Sequence, residues 1–433
     1  MFLLYFTPLI TIMKQHTKPS DFSALIGIDW ADKKHDIHEL PMDSSQASFS
    51  VISANSESIF DWANELRIKY PNGHVAIACE LKKGPLVYAL EQFDHIVLFP
   101  INPQTVAKYR QAFSFSGAKD DPTDARIMVD LLQTQMHKFS PHFPDKPAVR
   151  ALALLTQNRR SLVQDRVDLT NKITSILKNY FPQVISWFQE KDTIIFCDFL
   201  TRWPTLQKAR KAHRSTLIKF FNEHNSRYSS VNEQRIDAIK QAIPLTSDSA
   251  VIEPGALMIQ ILIPQLRNLI IGIESLDNEI KARYRKQKDR HIFDSFPGAG
   301  PQLAPRLFAA FGTDRSRYHK AADIQKLAGI APVIERSGQQ SWTHWRYSCP
   351  KFLRQTFVEW AGQSIRYSFW AKGFYEQQRA KGKRHNAAVR ALAFKWIRIA
   401  FRCWKDNTPY DESTYLNALK LRGSTLLQSA IST

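Results

Sequence analysis

Two short apolar runs that each close on a carboxylate constrain this chain most: "ALIGID" ends on Asp29 and "HVAIACE" on Glu80. Runs this short and this rich in Ile, Val and Ala read as strands covered on both faces. "SALIGIDWADKKHDIHEL" predicts a strand, a polar turn and a second, alternating strand, and "SFSVIS" predicts a third. Helical periodicity follows in "SESIFDWANELRIKY", "KKGPLVYALEQF", "NPQTVAKYRQAF" and "PTDARIMVDLLQTQ", with "HIVLFPI" as a further strand. Pro122 stands at a favourable first-turn position. Three strands followed by alternating helices and strands predict a mixed α/β sheet in a domain at 21–135.

Beyond it the pattern turns helical. Apolar residues recur at three- and four-residue steps over about 148–181 and again over 256–290, where Pro264 is expected to interrupt the helix. The pair suggests a coiled-coil region at 136–291 that either dimerises or braces the chain internally, and 182–254 carries no motif. A mainly helical domain is predicted at 292–410, with a tail at 411–433. Residues 1–20 form an extension: "MFLLYFTPLITIM" is too short to span a bilayer, which takes about 20 apolar residues. It also lacks a basic flank and a cleavage site, which argues against a signal peptide; Met13 is read as the start, with an N-terminal strand or anchor as the alternative.

Charge divides the chain. The first 132 residues hold 12 Lys and Arg against 16 Asp and Glu, and the rest hold 47 against 24. An acidic front joined to a strongly basic remainder predicts a polyanionic partner, nucleic acid before an anionic membrane. The four cysteines form no CxxC pair, which argues against a zinc site and a disulfide framework and suits a reducing cytoplasm.

The acids then ask for an explanation. In a mixed α/β sheet the carboxyl ends of neighbouring strands converge where ligands sit, so Asp29 and Glu80 are candidates for one site. Asp121 and Asp124, three apart at a helix start, share a face. Four carboxylates meeting at one point repel unless a divalent cation neutralises them, and two Mg²⁺ ions would also clamp a phosphodiester. Taken singly, each acid is as readily a solvated strand end or a capping turn.

Three blocks, "IGIDWADKKHDIHEL", "ACELKKGPL" and "KYRQAFSFSGAKDDPTDARIMVDLL", resemble those of the DEDD transposases of insertion sequences, relatives of the pilin-gene invertases. The resemblance implies an RNase H-like (RuvC-like) domain at the front, with Asp29, Glu80, Asp121 and Asp124 as catalytic metal ligands. Trp30 stands where the family has a smaller residue. Asp120 competes with Asp121, and the D-x-x-D spacing favours Asp121. "SFPGAGPQLAPRLFAAFG" and "QKLAGIAPVIERSGQQSWTHW" resemble the family's C-terminal transposase domain, which implies that Ser337 is the nucleophile. Gln339 and Gln340 replace the usual Gly and basic residue. By position alone Ser337 is a turn residue, and no His/Asp pair lies beside it. His344 is the nearest histidine and suits a structural or phosphate contact.

Gly298 and Gly300 would let backbone N–H groups approach a phosphate, or simply start a helix. Residues 337–405 hold 14 Lys and Arg against two acids, interleaved with aromatics. Most of the Trp residues there are expected in the core. Arg346, Lys351, Arg354 and the loop at 379–386, with Arg379, Lys381, Lys383 and Arg384, are expected to meet phosphates. The family further implies Mg²⁺ or Mn²⁺, duplex donor and target DNA, a structured noncoding bridge RNA, and a homo-oligomer, dimer or tetramer. In that assembly, domains of different subunits complete each site. A site-specific invertase, a water-using nuclease, or a non-catalytic nucleic-acid-binding regulator are the competing readings.

Overall fold

The computed structural model describes residues 18–44, 46–80, 83–113, 121–226 and 228–424, without the side chains of Phe113 and Asp121. The N-terminal extension through residue 17, Asp120 and the end of the tail lie outside the described residues. The chain divides into two units after Pro144.

In the first unit the elements run β1 (Ala24–Trp30), β2 (Lys34–Pro41), β3 (Ser48–Ser53), α1 (Ser56–Lys69), β4 (Val75–Cys79), α2 (Pro85–Leu90), β5 (Ile96–Pro100), α3 (Pro103–Phe113) and α4 (Asp121–Gln135). The sheet order is β3-β2-β1-β4-β5. β1 pairs antiparallel with β2 and parallel with β4, and β5 continues parallel beyond β4. The mainly apolar β1 and β4 lie side by side inside the sheet, buried on both faces. One face, with Ile26, Ile28, Ile77 and Leu98, packs on Trp62 and Leu66 of α1 and Leu86 and Val87 of α2. The other, with Leu25, Ala76, Ala78 and Val97, packs on Val106 of α3 and on Met128 and Leu132 of α4. α1 starts where the Asn55 side chain accepts the Ser58 N–H at 2.7 Å, a cap worth about 1 kcal/mol.

The second unit is built on two long helices, α5 (Pro147–Tyr180) and α11 (Ser249–Arg285), with the short helices α6 (Gln183–Trp187), α7 (Ile194–Arg202), α8 (Leu206–Lys211), α9 (Arg214–Glu223) and α10 (Ser229–Gln241) between them. The long pair runs antiparallel: Gly255 abuts Tyr180, Gly272 meets Leu162, and Arg159 pairs with Asp277 at 2.5 Å. The sequence predicts a break at Pro264, and the helix instead runs through both Pro254 and Pro264. Pro264 and Gln260, whose carbonyl loses its donor, lie on the exposed face, where water replaces the missing hydrogen bond. By length and composition α11 could cross a membrane. Its Ile259, Leu262, Ile263 and Leu266 are core residues here, packed with Phe196, Phe199, Trp203 and Phe220 of the segment that carries no motif. That segment thus closes a core over one end of the long pair.

The other end, with Val149, Leu152, Ile280 and Tyr284, joins a core made by α12 (Arg290–Asp294), α13 (Gly300–Phe311), α14 (Ala321–Leu327), α15 (Lys351–Ser364), α16 (Phe369–Ala380), α17 (His385–Asp406) and α18 (Glu412–Leu421). Trp360, Trp370, Trp396 and Trp404 are fully buried in it. Each indole N–H has an acceptor: Pro297 O, Tyr410 Oη, Ser364 Oγ and Gly312 O, at 3.1, 2.7, 2.7 and 2.8 Å. The tryptophans can be buried because none leaves a donor unmet. Between α14 and α15 a lone hairpin, β6 (Val333–Ser337) and β7 (Gln340–His344), stands apart from this core.

Candidate nucleic-acid-processing site

Alternation along β1 sends Ile26 and Ile28 to the α1 face and Leu25, Gly27 and Asp29 to the α4 face. Ile28 lies opposite Cys79 as the last pair of the parallel ladder, so Asp29 continues β1 and Glu80 follows β4 at the same end of the two strands. α4 is seated directly on this corner. A Cβ on Gly27 would stand 2.0 Å from the Ala125 carbonyl oxygen, so only glycine lets the helix come this close. Ala125 follows Asp124, and the absence of one methyl group thereby brings the D-x-x-D turn over β1, two residues before Asp29.

Asp124 is buried, 3% exposed, and its Oδ1 accepts from Arg110 Nε at 2.8 Å and also from Nη2. Arg110 lies at the C-terminal end of α3, and the pair ties α3 to α4 while neutralising the acid. Asp121 opens α4, one turn from Asp124, with its side chain outside the described residues. Among the described residues no three His, Cys, Asp or Glu side chains are grouped as ligands of one ion.

Two residues escaped the sequence reading. Arg110 is one. Asp36 is the other: it lies opposite Asp29 in the β1–β2 register, is 2% exposed, and pairs with Lys34 Nζ at 3.2 Å. His38, two residues on and opposite Gly27, shares that face. Burial pushes its imidazole below the usual histidine range, against the attraction of Asp130 on α4. Burial likewise raises the Asp130 carboxyl, against Arg126 and His38. The signal was present in "HDIHEL", whose alternation puts Asp36 and His38 on one side.

In the second unit, Ser337 ends β6 and faces Gln340 across a two-residue turn. Gly338 occupies the left-handed region at φ +58°, with open space round it, and Ser337 is exposed. His344 sits at the other end of the hairpin, opposite Val333, and pairs with Glu335 at 3.1 Å. It is therefore no partner for the serine. Gly298, at φ +74°, is packed so that a Cβ would lie 2.8 Å from the Gln363–Ser364 peptide, which gives that glycine a packing reason. Gly300, at φ +52°, opens α13 with nothing within 4 Å. Lys351 and the turn bearing Arg379, Lys381, Lys383 and Arg384 are exposed, and Arg346 and Arg354 are half-buried at the foot of the hairpin.

A mixed sheet of this order, with acids at the ends of β1 and β4 and a D-x-x-D helix laid over it, is consistent with an RNase H-like domain that processes nucleic acid. Residues 26–182 match the DEDD transposases of the IS110 type, and residues 290–376 match the transposase IS116/IS110/IS902 family. The chain belongs to that family of transposases, enzymes that act on DNA. It is similar to the "Mini-circle putative transposase for IS117" of Streptomyces coelicolor, at 27% identity over 89% of this chain and 95% of the relative. It is also similar to the insertion element IS900 uncharacterized 42 kDa protein of Mycobacterium paratuberculosis, at 25% over 86% and 93%. To the insertion element IS110 uncharacterized 43.6 kDa protein of Streptomyces coelicolor it is 23% identical, over 68% and 72%.

Proposed function

We propose that this transposase cuts and rejoins donor and target DNA with Ser337 as nucleophile, in a reaction dependent on divalent metal and guided by a structured bridge RNA. The observation that carries the acidic half is the placement of Asp29 and Glu80 at neighbouring strand ends under a helix that Gly27 admits. An all-oxygen donor set without thiolate or imidazole fits a hard ion such as Mg²⁺ or Mn²⁺, held by Asp29, Glu80, Asp121 and Asp124. Such an ion, when bound, polarises a phosphoryl oxygen and favours an alkoxide near it.

The chain's own groups do the rest. Arg110 holds Asp124 in place. Ser337 Oγ forms a bond to the scissile phosphorus, the P–O bond to one deoxyribose breaks, and the serine proton passes to the leaving oxygen. The phosphoserine ester keeps the energy of the broken bond, so attack by a hydroxyl end of the second DNA frees the serine and rejoins the strands. The 14 to two excess of basic residues at 337–405 supports a polyanionic partner. Tyr347 and Tyr367, 80% and 67% exposed, offer faces to unpaired bases such as an RNA loop presents. We place the protein in the cytoplasm, working as a homo-oligomer.

The test is incubation of the purified protein with its flanking DNA and co-expressed RNA in Mg²⁺. A protease-sensitive, covalently shifted DNA product is expected, lost with EDTA and in Ser337→Ala. Cutting by Ser337→Ala without a covalent product would make the enzyme a water-using nuclease. DNA binding that survives with no cutting by any form would leave a nucleic-acid-binding regulator.

A further inference from the structure

Trp345 and Arg346 follow the last residue of β7 and form the strap that joins the Ser337 hairpin to the helical core. The guanidinium of Arg354, on α15, lies 5.4 Å from the centroid of the Trp345 ring, and that of Arg390, on α17, lies against the same ring. Arg354 Nη2 also donates to the Arg346 carbonyl, to the Tyr347 carbonyl at 3.4 Å and to Cys349 Sγ at 2.6 Å. Gly329 closes the seat from below, since a Cβ there would lie 2.5 Å from Cys349 Sγ and 2.8 Å from Arg354 Nη2. These contacts fix the strap, and none of them neutralises a charge.

Several other poorly exposed arginines of this unit have an acid beside them, while Arg235 lies over the rings of Phe188 and Phe221. Arg159 pairs with Asp277, Arg306 with Glu359 and Arg315 with Asp289. At the strap, the Nε–H groups of Arg346, Arg354 and Arg390 are buried with no acceptor among the described residues. The Arg390 guanidinium is pushed down to about 10, by burial first and then by Arg354 beside it. Two like charges held together against one indole, with donors left over, are stabilised by an anion that shares them.

We infer that Arg354 and Arg390, with Arg346 and Trp345, form a seat for a backbone phosphate of the DNA flanking the bond that Ser337 attacks. The inference rests on the reading of Ser337 as nucleophile. Length decides which phosphate. Gln340 faces Ser337 at the tip and His344 is at the foot, four residue steps or about 13 Å away along the strand. That is about four nucleotide steps of 3.4 Å along a duplex, too far for the scissile group. Arg390 is therefore a positioning residue: it sets where along the DNA the serine comes down.

Salt dependence of binding tests this on the full-length protein, by fluorescence anisotropy with flanking duplex DNA and with an RNA hairpin of similar length. Arg390→Gln is expected to lower the slope of log K against log salt by about 1 on the duplex, the loss of one phosphate contact. It is also expected to raise the DNA concentration for half-maximal Ser337 adduct and to blur the cut position. Arg390→Lys, which keeps the charge and removes the planar fork, should hold the slope and still weaken binding. An unchanged slope in folded Arg390→Gln, or a change confined to the RNA, overturns the seat. If Arg390→Gln fails to fold, Arg390→Lys with wild-type affinity and cut position overturns it. Wild-type protein that shows the slope difference and no Ser337 adduct contradicts the nucleophile reading and leaves the seat standing.

Discussion

Asp29 and Glu80 follow apolar runs that are buried on both faces, whereas Ser337 ends a strand of which four of the five residues are exposed. The acids inherit their positions from the register of a five-stranded sheet, which cannot slip by one residue without exchanging the side chains fitted to the α1–α2 layer for those fitted to the α3–α4 layer. The serine inherits its position from a two-stranded hairpin, a structure that is marginal by itself and is fixed only at its foot. Groups that bind a cation profit from rigid placement. A nucleophile that must reach a phosphodiester and later release it profits from a support that can be adjusted by what binds beneath it. In keeping with the proposed roles, the arginines at the foot of the hairpin have carbonyls and an indole as partners, while at the acidic edge Asp124 and Asp36 have Arg110 and Lys34 as counter-charges.

The contrast can be broken from either side. Ser337→Ala should reduce covalent adduct by more than about a thousandfold with wild-type thermal stability, as loss of a nucleophile does. Gel analysis of protein–DNA product checks it together with Tm. Arg110→Gln removes one partner of a buried pair and should destabilise the first unit by roughly 3 kcal/mol. If a divalent ion shares Asp124, millimolar Mg²⁺ should recover part of that loss in a melting experiment.

Gly27→Ala forces a methyl group into the Ala125 carbonyl. It should cost roughly 1–3 kcal/mol by overpacking, and cutting should fall further than stability alone predicts because Asp124 moves with α4. Gly338→Ala is the mildest. Its left-handed φ costs roughly 1 kcal/mol within an exposed hairpin, so global Tm should hardly move while adduct formation slows. Equal Tm losses for Gly27→Ala and Gly338→Ala would remove the distinction between the two regions.

The strands, the helices of the first unit and the two long helices were legible in the sequence because one period dominates each. The acids at the ends of β1 and β4 were legible for the same reason: the apolar run stops on them. Register was not legible, so the alternation in "HDIHEL" could set Asp36 and His38 on one side but could not place Asp36 opposite Asp29, and nothing led from Arg110 to Asp124. Pro264 read as a break because the pattern does not show that Gln260 and Pro264 share the watered face of α11. The helices between 183 and 241 left no motif because their large aromatics pack together in one core as isolated short elements, and six- or nine-residue helices are too brief to repeat a stripe. Arg390 looked like one more charge on a basic helix until the fold set it against Trp345.

Mn²⁺ binding followed by electron paramagnetic resonance tests the acidic edge most directly, comparing wild type with Asp29→Asn and Glu80→Gln at equal Tm. The wild-type protein is expected to take up the ion, and each substitution to weaken uptake at least about tenfold. Uptake by both variants equal to wild type would rule out a cation site at this edge.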